Sequence, residues 1–295
     1  PRVVVAPDGR DKGLKEPGRT RVPLAPGRLV GSGATSTEGR GSSVVAEDVD
    51  RRHTRVEDFR IYSVHGGRGP AVVLLHGLSG SHRWWRYTFP ELSREFRVHV
   101  PELVGFGASR PAPRQPSIPQ MAELLVSWMD LQGIERTHLV GHSVGGQIAI
   151  HIATRWPERL DRLVLVSAAG IPRGRTLGEL ARFLAELVPP RSWGRPGFIP
   201  TIARDAFQAG PLVLLRATRH ILGDDVRPLL GRIVHPTLLV WGRLDPLTPL
   251  SHGWQMADAI PHSRLVVLPD AAHNPMADTP VRFNEVVGTF LRTGG

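Results

Sequence analysis

Residues 141–146 read Gly-His-Ser-Val-Gly-Gly, and this serine-centred string lies between two segments of different character. The run at 137–140 before it is typical of a buried strand, whereas residues 147–156 after it have the composition of a helix. Glycines on both sides of Ser143 would let a strand turn sharply into a helix without side-chain collisions. The pattern therefore predicts a serine hydroxyl held clear of a sheet, beside the positive end of a helix.

A serine hydroxyl becomes a useful nucleophile only when a base can take its proton, so partners are expected further along the chain. The strand-like run at 237–241 is followed by Gly-Arg-Leu-Asp-Pro, which contains Asp245, and the run at 265–268 is followed by a loop that contains His273. This order predicts a triad in which His273 is the base and Asp245 orients its imidazole. Asp270 is a rival acid, ranked lower because it lies three residues before His273 on the same loop.

Acyl transfer also needs two backbone N–H groups directed at the oxygen on which negative charge develops. The residue after the nucleophile, Val144, is expected to supply one of them. The strand-like run at 71–75 is followed by the small-residue loop His-Gly-Leu-Ser-Gly, and its Leu78 is predicted to supply the second.

Taken together, these stretches resemble the α/β-hydrolase family over about residues 56 to 292. The matching strings are HGLSG at 76–80, GFGASR at 105–110, GHSVGG at 141–146, WPERLDRLVLV at 156–166, GRLDP at 242–246 and AAHNP at 271–275. The resemblance implies an α/β fold: a mostly parallel eight-stranded sheet with helices on both faces and a helical lid inserted after the sixth strand. One departure is Glu102, where family members often carry aspartate; it is expected to affect loop packing and no catalytic role.

The nucleophile narrows the expected reaction. Haloalkane dehalogenases and soluble epoxide hydrolases resemble this fold but use aspartate at the elbow, so serine favours a carboxylic ester hydrolase that takes a small apolar ester or acyl substrate. Lactones, thioesters and amides stay open as substrates. Carbon-carbon bond hydrolases of ring-fission products are the nearest alternative. They commonly carry Asn before the serine and Trp soon after the base, where this chain has His142 and the stretch Asn274-Pro275-Met276. A non-catalytic small-molecule receptor on the same fold is a third possibility.

The chain divides into three expected parts. Residues 1–55 are rich in Gly, Pro, Arg and Ser without sustained periodicity, so they are expected to form a disordered tail before a catalytic domain at 56–295. Residues 171–235 are the expected lid. Within it, residues 176–188 read as an amphipathic helix, because leucines recur on one face.

Composition excludes several classes of function. The chain has 0 cysteines, which rules out disulfides, thiol catalysis and cysteine metal sites. The histidines show no ligand spacing, and the string at 105–107 lacks the third glycine of a nucleotide fingerprint, so neither metal nor cofactor is expected. No apolar run approaches the ~18 residues of a membrane span, and the start lacks an apolar signal core, so a cytoplasmic location is expected. The oligomeric state is left open.

The net charge of +10 is concentrated in two regions. Residues 1–40 hold eight basic against four acidic residues, and residues 171–235 hold ten against five. The expected folded core carries no basic stripe with stacking aromatics, so a nucleic-acid partner is not expected. Only two of the basic residues are lysine, Lys12 and Lys15, which a coding bias towards arginine would explain. The other interpretation is that a basic tail and lid favour an anionic surface or an acidic substrate.

Overall fold

A computed structural model describes residues 2–5, 49–172 and 194–294. The strands among these residues are β1 (Arg2–Val5), β2 (Asp50–Val56), β3 (Phe59–Gly66), β4 (Ala71–Leu75), β5 (Arg97–Pro101), β6 (Thr137–His142), β7 (Leu160–Val166), β8 (Thr237–Gly242) and β9 (Ser263–Leu268). They form one sheet in the order β1-β9-β8-β7-β6-β4-β5-β3-β2. β3 runs antiparallel to both of its neighbours, β2 and β5, and every other pair is parallel. Strands β2 to β9 confirm the predicted eight-stranded, mostly parallel sheet.

The central strands are buried on both faces of the sheet. Every residue of β4, β6 and β8 is buried. Alternate side chains enter two separate cores: Leu75 and Leu139 pack on one face, while Leu74 and Val140 pack on the other. This double burial explains why these strands read as continuous apolar runs in the sequence.

Helices cover both faces. The α-helices of the described residues are α1 (Phe89–Leu92), α2 (Ile118–Leu131), α3 (Val144–Arg155), α4 (Ile199–Ala209), α5 (Pro211–Gly223), α6 (Arg227–Leu230), α7 (Leu250–Ala259), α8 (Pro275–Asp278) and α9 (Pro280–Thr293). Buried residues of α2, α3 and α7 belong to the core on one face of the sheet, and those of α1 and α9 belong to the other. None of the helices in these ranges has the length and apolar character that a membrane span requires.

Two segments that the sequence analysis assigned to the tail are strands. β1 pairs in parallel with β9 and adds a ninth strand at that edge, while β2 begins at Asp50 and pairs with β3 at the opposite edge. β2 consists mostly of exposed polar and charged residues, which an edge strand tolerates, so its composition did not identify it as a strand. Exposed arginines such as Arg51 and Arg55 make β2 a charged edge that resists pairing with another chain. Residues 6–48 of the predicted tail lie outside the described residues.

The chain between β7 and β8 forms the insertion in which the lid was predicted. Residues 167–172 and 194–236 of it are described, and the second stretch contains α4, α5 and α6. The amphipathic helix predicted at 176–188 lies outside the described residues. The insertion follows the sixth strand of the eight from β2 to β9, which is where the resemblance placed it.

Candidate active site

Ser143 stands at the turn between β6 and α3 in an unusual backbone conformation. Its φ is +54° and its ψ is −118°, a region that residues with a side chain rarely occupy. The neighbouring backbone holds it there: Ser143 N–H donates to the Val166 carbonyl at 2.9 Å, and the Ser143 carbonyl accepts from Ala169 N at 3.0 Å. Such strain persists only where the surroundings enforce it, and it often marks a functional residue.

The glycines beside Ser143 are required by close contacts between backbones. A Cβ on Gly145 would lie 2.5 Å from the Leu75 carbonyl oxygen, and one on Gly141 would lie 2.4 Å from the Gly145 carbonyl oxygen. Because these neighbours are backbone atoms, they cannot swing away as a flexible side chain could. The sharp turn that the sequence predicted therefore depends on glycine at both positions.

The three side chains proposed as a triad lie in one hydrogen-bonded chain. His273 Nε2 is 3.1 Å from Ser143 Oγ, and His273 Nδ1 is 2.9 Å from Asp245 Oδ2 and 3.1 Å from its Oδ1. Asp245 and His273 are buried, and their loops follow β8 and β9. The rival acid Asp270 is exposed, whereas Asp245 reaches the imidazole.

Asp245 is held by more than His273. One carboxylate oxygen accepts the backbone N–H groups of Leu247 and Thr248 at 2.9 Å each, and the other accepts the Thr248 hydroxyl at 2.7 Å. Burial by itself would raise the pKa of Asp245, but His273 and the Thr248 donors outweigh it and leave that pKa below its ordinary value. The carboxyl group is therefore ionised and fixed in orientation. Thr248 was not identified from sequence, because nothing in the pattern shows that its hydroxyl turns back to Asp245.

The partly buried carboxylate of Asp278 also holds the loop that carries His273. Asp278 accepts the Ala272 N–H at 2.9 Å with one oxygen and the Arg195 N–H at 2.8 Å with the other. Burial raises the pKa of Asp278, although these backbone donors partly oppose the rise. The contact joins the His273 loop to the described part of the insertion. Sequence analysis missed it, because the two partners lie far apart in the chain.

His142 also holds the loop that carries His273. Its Nε2 donates to the His273 carbonyl oxygen at 2.8 Å, and its ring is fully buried between Trp84 and His273. Burial, and secondly the nearby His273, lower the pKa of His142 to about 3. The imidazole is therefore neutral near pH 7, so it adds no positive charge beside His273.

Leu78 and Val144, the two predicted oxyanion donors, border the same cavity beside Ser143. The Leu78 loop lies directly against the nucleophile turn, since a Cβ on Gly77 would be only 3.2 Å from Ser143 Cβ. Val144 opens α3, so its N–H belongs to the first turn of the helix, where backbone donors are free of intrahelical partners.

The cavity beside Ser143 is mainly apolar. It lies between the nucleophile helix, the Leu78 loop and α5, and Gln115 and His220 are the polar side chains at its wall. The apolar residues that line it are Leu78, Leu103, Phe106, Pro116, Ile118, Met121, Val144, Ile148, Ala217 and Ile221. Such a lining favours an apolar group over a charged one.

Glu102, the departure noted in the sequence, has a structural role in the loops around this cavity. Its buried carboxylate accepts from His82 Nδ1 at 2.5 Å and from the His82 backbone N–H at 3.1 Å, and it also accepts the Ala108 N–H. Burial opposes ionisation, but these donors leave the pKa of Glu102 below its ordinary value. The glutamate thus ties the loop after β5 to the short helix at His82–Trp85.

Asp205 on α4 is a further buried carboxylate, and it was not identified from sequence. Its Oδ2 accepts from Ser81 Oγ at 2.6 Å and from Trp84 Nε1 at 3.1 Å. It therefore fastens α4 to the chain that follows the Leu78 loop.

Within the ranges that the structure describes, no group of three His, Asp or Glu side chains is arranged to hold a metal ion. That neither metal nor cofactor is needed stays a prediction.

Comparison with known proteins agrees with this fold. The model of the alpha/beta hydrolase fold family matches residues 70–210 and 198–280. The chain belongs to the α/β-hydrolase family.

Individual relatives include hydrolases of two kinds. The chain is 32% identical over 258 residues to a 2-hydroxymuconate semialdehyde hydrolase of Pseudomonas sp. (strain CF600), covering 76% of this chain and 88% of that protein. It is 31% identical over 241 residues to a pimeloyl-[acyl-carrier protein] methyl ester esterase of Nitrosomonas europaea, covering 74% of this chain and 94% of that protein. A solved structure of a thermophilic esterase from Thermogutta terrifontis superposes with a TM-score of 0.73 at 28% identity, covering 83% of this chain and 99% of that one.

Proposed function

We propose that this protein is a carboxylic ester hydrolase that works through Ser143, His273 and Asp245. The observation that carries the proposal is the continuous hydrogen-bonded chain from Ser143 Oγ through His273 to a buried, ionised Asp245. A strained nucleophile turn and an adjoining apolar cavity support it. The similarity to two esterases agrees with the same reaction.

The first half of the reaction forms an acyl-enzyme. Ser143 Oγ attacks the ester carbonyl carbon while His273 Nε2 takes the hydroxyl proton. The carbonyl oxygen becomes an oxyanion, which the N–H groups of Leu78 and Val144 stabilise. When the intermediate collapses, the carbon-oxygen bond to the alcohol breaks, and His273 gives its proton to the departing alcohol.

The second half releases the acid. His273 takes a proton from water, the resulting hydroxide attacks the acyl carbon, and the proton returns to Ser143 Oγ as that ester bond breaks. The charge on Asp245 stabilises the imidazolium in both halves. The apolar cavity borders Leu78 and Val144 on the oxyanion side, so we assign it to the acyl part of the substrate.

The test is initial hydrolysis rates on p-nitrophenyl esters of increasing acyl length, with Ser143→Ala purified in the same way. We expect turnover by the wild type and a kcat lower by a factor of about 10⁴ to 10⁶ in the variant, because residues of such a triad act as a unit. Circular dichroism of both proteins shows that the fold is unchanged. Turnover that survives Ser143→Ala would contradict the assignment of the nucleophile.

The second candidate is hydrolysis of a carbon-carbon bond in a ring-fission product. The 32% identity to a 2-hydroxymuconate semialdehyde hydrolase favours it. A ring-fission dienoate assayed beside the esters separates the two: faster cleavage of the dienoate, dependent on Ser143, would favour the second candidate. His142 precedes the serine here, and its contact with the His273 carbonyl is compatible with either reaction.

A further inference from the structure

The turn between α4 and α5 carries apolar side chains into solvent. Phe207 near the end of α4 is 89% exposed, and Leu212 and Leu215 on α5 are 56% and 59% exposed. Arg216 and Arg219 are exposed on the same face of α5, since 212, 215, 216 and 219 have the spacing of one helix face. With Arg204 of α4, these residues form what we call the α4–α5 surface: Arg204, Phe207, Leu212, Leu215, Arg216 and Arg219.

The surface carries three exposed arginines, Arg204, Arg216 and Arg219. None of its arginines forms an ion pair with another residue in the described part of the chain. Asp205 is the one acidic residue of α4 and α5, and it is fully buried against Ser81 and Trp84. The acids that follow α5 are already engaged, Asp224 with His151 and Asp225 with Arg227.

The opposite face of α5 belongs to the cavity. Ala217, His220 and Ile221 line the cavity beside Ser143, so one helix separates that cavity from the exposed surface. Whatever binds the α4–α5 surface is therefore one helix away from the cavity that Leu78 and Val144 border.

We propose that the α4–α5 surface docks onto an anionic lipid bilayer, with Phe207, Leu212 and Leu215 in the interfacial region and the arginines at the lipid phosphates. Aromatic and aliphatic side chains flanked by arginine are the combination that binds such surfaces. A protein partner fits less well, because three apolar side chains on a helix turn fall short of the roughly 800 Å² that each partner of a stable complex buries. Docking would place the cavity beside the bilayer and favour amphiphilic substrates held there. The docking proposal does not depend on which residues are assigned to the catalytic triad.

The test is sedimentation of the full chain with vesicles of phosphatidylcholine alone or mixed with phosphatidylglycerol. We expect binding to the anionic vesicles that weakens with salt, and little binding to phosphatidylcholine alone. Two triple variants should each bind at least about tenfold more weakly, given the typical contribution of each basic or apolar group at a membrane surface: Arg204→Gln/Arg216→Gln/Arg219→Gln and Phe207→Ser/Leu212→Ser/Leu215→Ser.

Two control variants carry the same kinds of substitution on other exposed surfaces. Arg51→Gln/Arg55→Gln/Arg60→Gln removes equal charge from the exposed β2–β3 edge, and Leu131→Ser/Leu244→Ser/Val281→Ser replaces side chains that are 60%, 60% and 73% exposed. Both controls should bind like the wild type, and thermal unfolding shows that all four variants are folded. The proposal is overturned if the wild type does not bind anionic vesicles, or if the controls lose as much binding as the α4–α5 variants. Esterase activity is not part of the readout, so failure here leaves the proposed function untouched.

Discussion

At the scale of single residues, the candidate site depends on how firmly Asp245 is held. Its carboxylate receives donors from His273, Leu247 and Thr248, all at 2.7 to 3.1 Å. An acid fixed in this way can keep the imidazole in one tautomer, with Nδ1 protonated and Nε2 free to accept a proton. The loss of a group in this network should therefore lower kcat more, the more it disturbs the orientation of His273.

The fall in kcat should be largest for a substitution at Asp245, smaller for one at Thr248 and absent for one at Asp270. Asp245→Asn should lower kcat about 10⁴-fold, because the amide favours the wrong tautomer of His273. Thr248→Val should lower kcat about tenfold, the effect of one lost hydrogen bond of about 1 to 1.5 kcal/mol. Asp270→Asn is the matched control and should leave kcat unchanged, because that side chain is exposed. Steady-state kinetics on one p-nitrophenyl ester measures all three, and a large effect at Asp270 would contradict the assignment of the acid.

At the scale of secondary-structure elements, α5 is anchored to the nucleophile helix through Asp224. That residue follows the end of α5 and accepts from Gln147 Nε2 at 2.8 Å and from His151 Nε2 at 2.9 Å, both on α3. The Gln147 amide also donates to the carbonyls of Ile221 and Asp224. The contact fixes the helix that supplies Ala217 and Ile221 to the cavity.

Removing this anchor should affect substrate binding more than chemistry. We expect Asp224→Ala to raise KM several-fold for esters with longer acyl chains while kcat changes little, because the cavity wall shifts and the triad does not. Asp225→Ala is the neighbouring control: its carboxylate pairs with the exposed Arg227 rather than with α3, so KM should stay at the wild-type value. A fall in kcat at constant KM for Asp224→Ala would show that α5 acts on the catalytic groups instead.

At the scale of the whole molecule, several histidines are buried in an uncharged state. His65 and His99 contact each other at 2.6 Å between β3 and β5, and burial is the main cause that lowers their pKa values to about 4 and about 3. The pKa of His142 is lowered to about 3 in the same way. In the unfolded chain these groups titrate near pH 6.5. Below that pH the unfolded state therefore binds protons that the folded state does not, so stability falls as the pH falls.

The free energy of unfolding should accordingly decrease from pH 6.5 to pH 4.5, a window above the ordinary range of most carboxyl groups. Urea unfolding followed by circular dichroism at several pH values measures the slope. His99→Gln should make the slope shallower by removing one of the groups, and its ester hydrolysis at pH 7.5 checks that it is folded. Stability that stays flat across this window would show that the buried histidines accept protons without unfolding.

The pattern of the sequence was sufficient for the fold and for the identities of the triad candidates. Continuous apolar runs identify strands buried on both faces, and glycines beside Ser143 identify a turn in which a side chain would collide with backbone. Chain order then selected Asp245 and His273, because parallel strands bring their carboxyl ends to one edge of a sheet. These are local signals, and each is legible within a few residues.

Only the tertiary structure shows which residues hold that site in place. Thr248, Asp278, Asp205 and Asp224 are ordinary polar residues in the sequence, and their partners lie on other loops or helices. The sequence ranked Asp245 above Asp270, and the structure adds that the Asp245 carboxylate contacts His273 while Asp270 is exposed. The added strand β1 and the exposed side chains of the α4–α5 surface also depend on what the rest of the chain covers. Burial and hydrogen-bond partnership are properties of pairs of distant segments, so a pattern read along one segment cannot contain them.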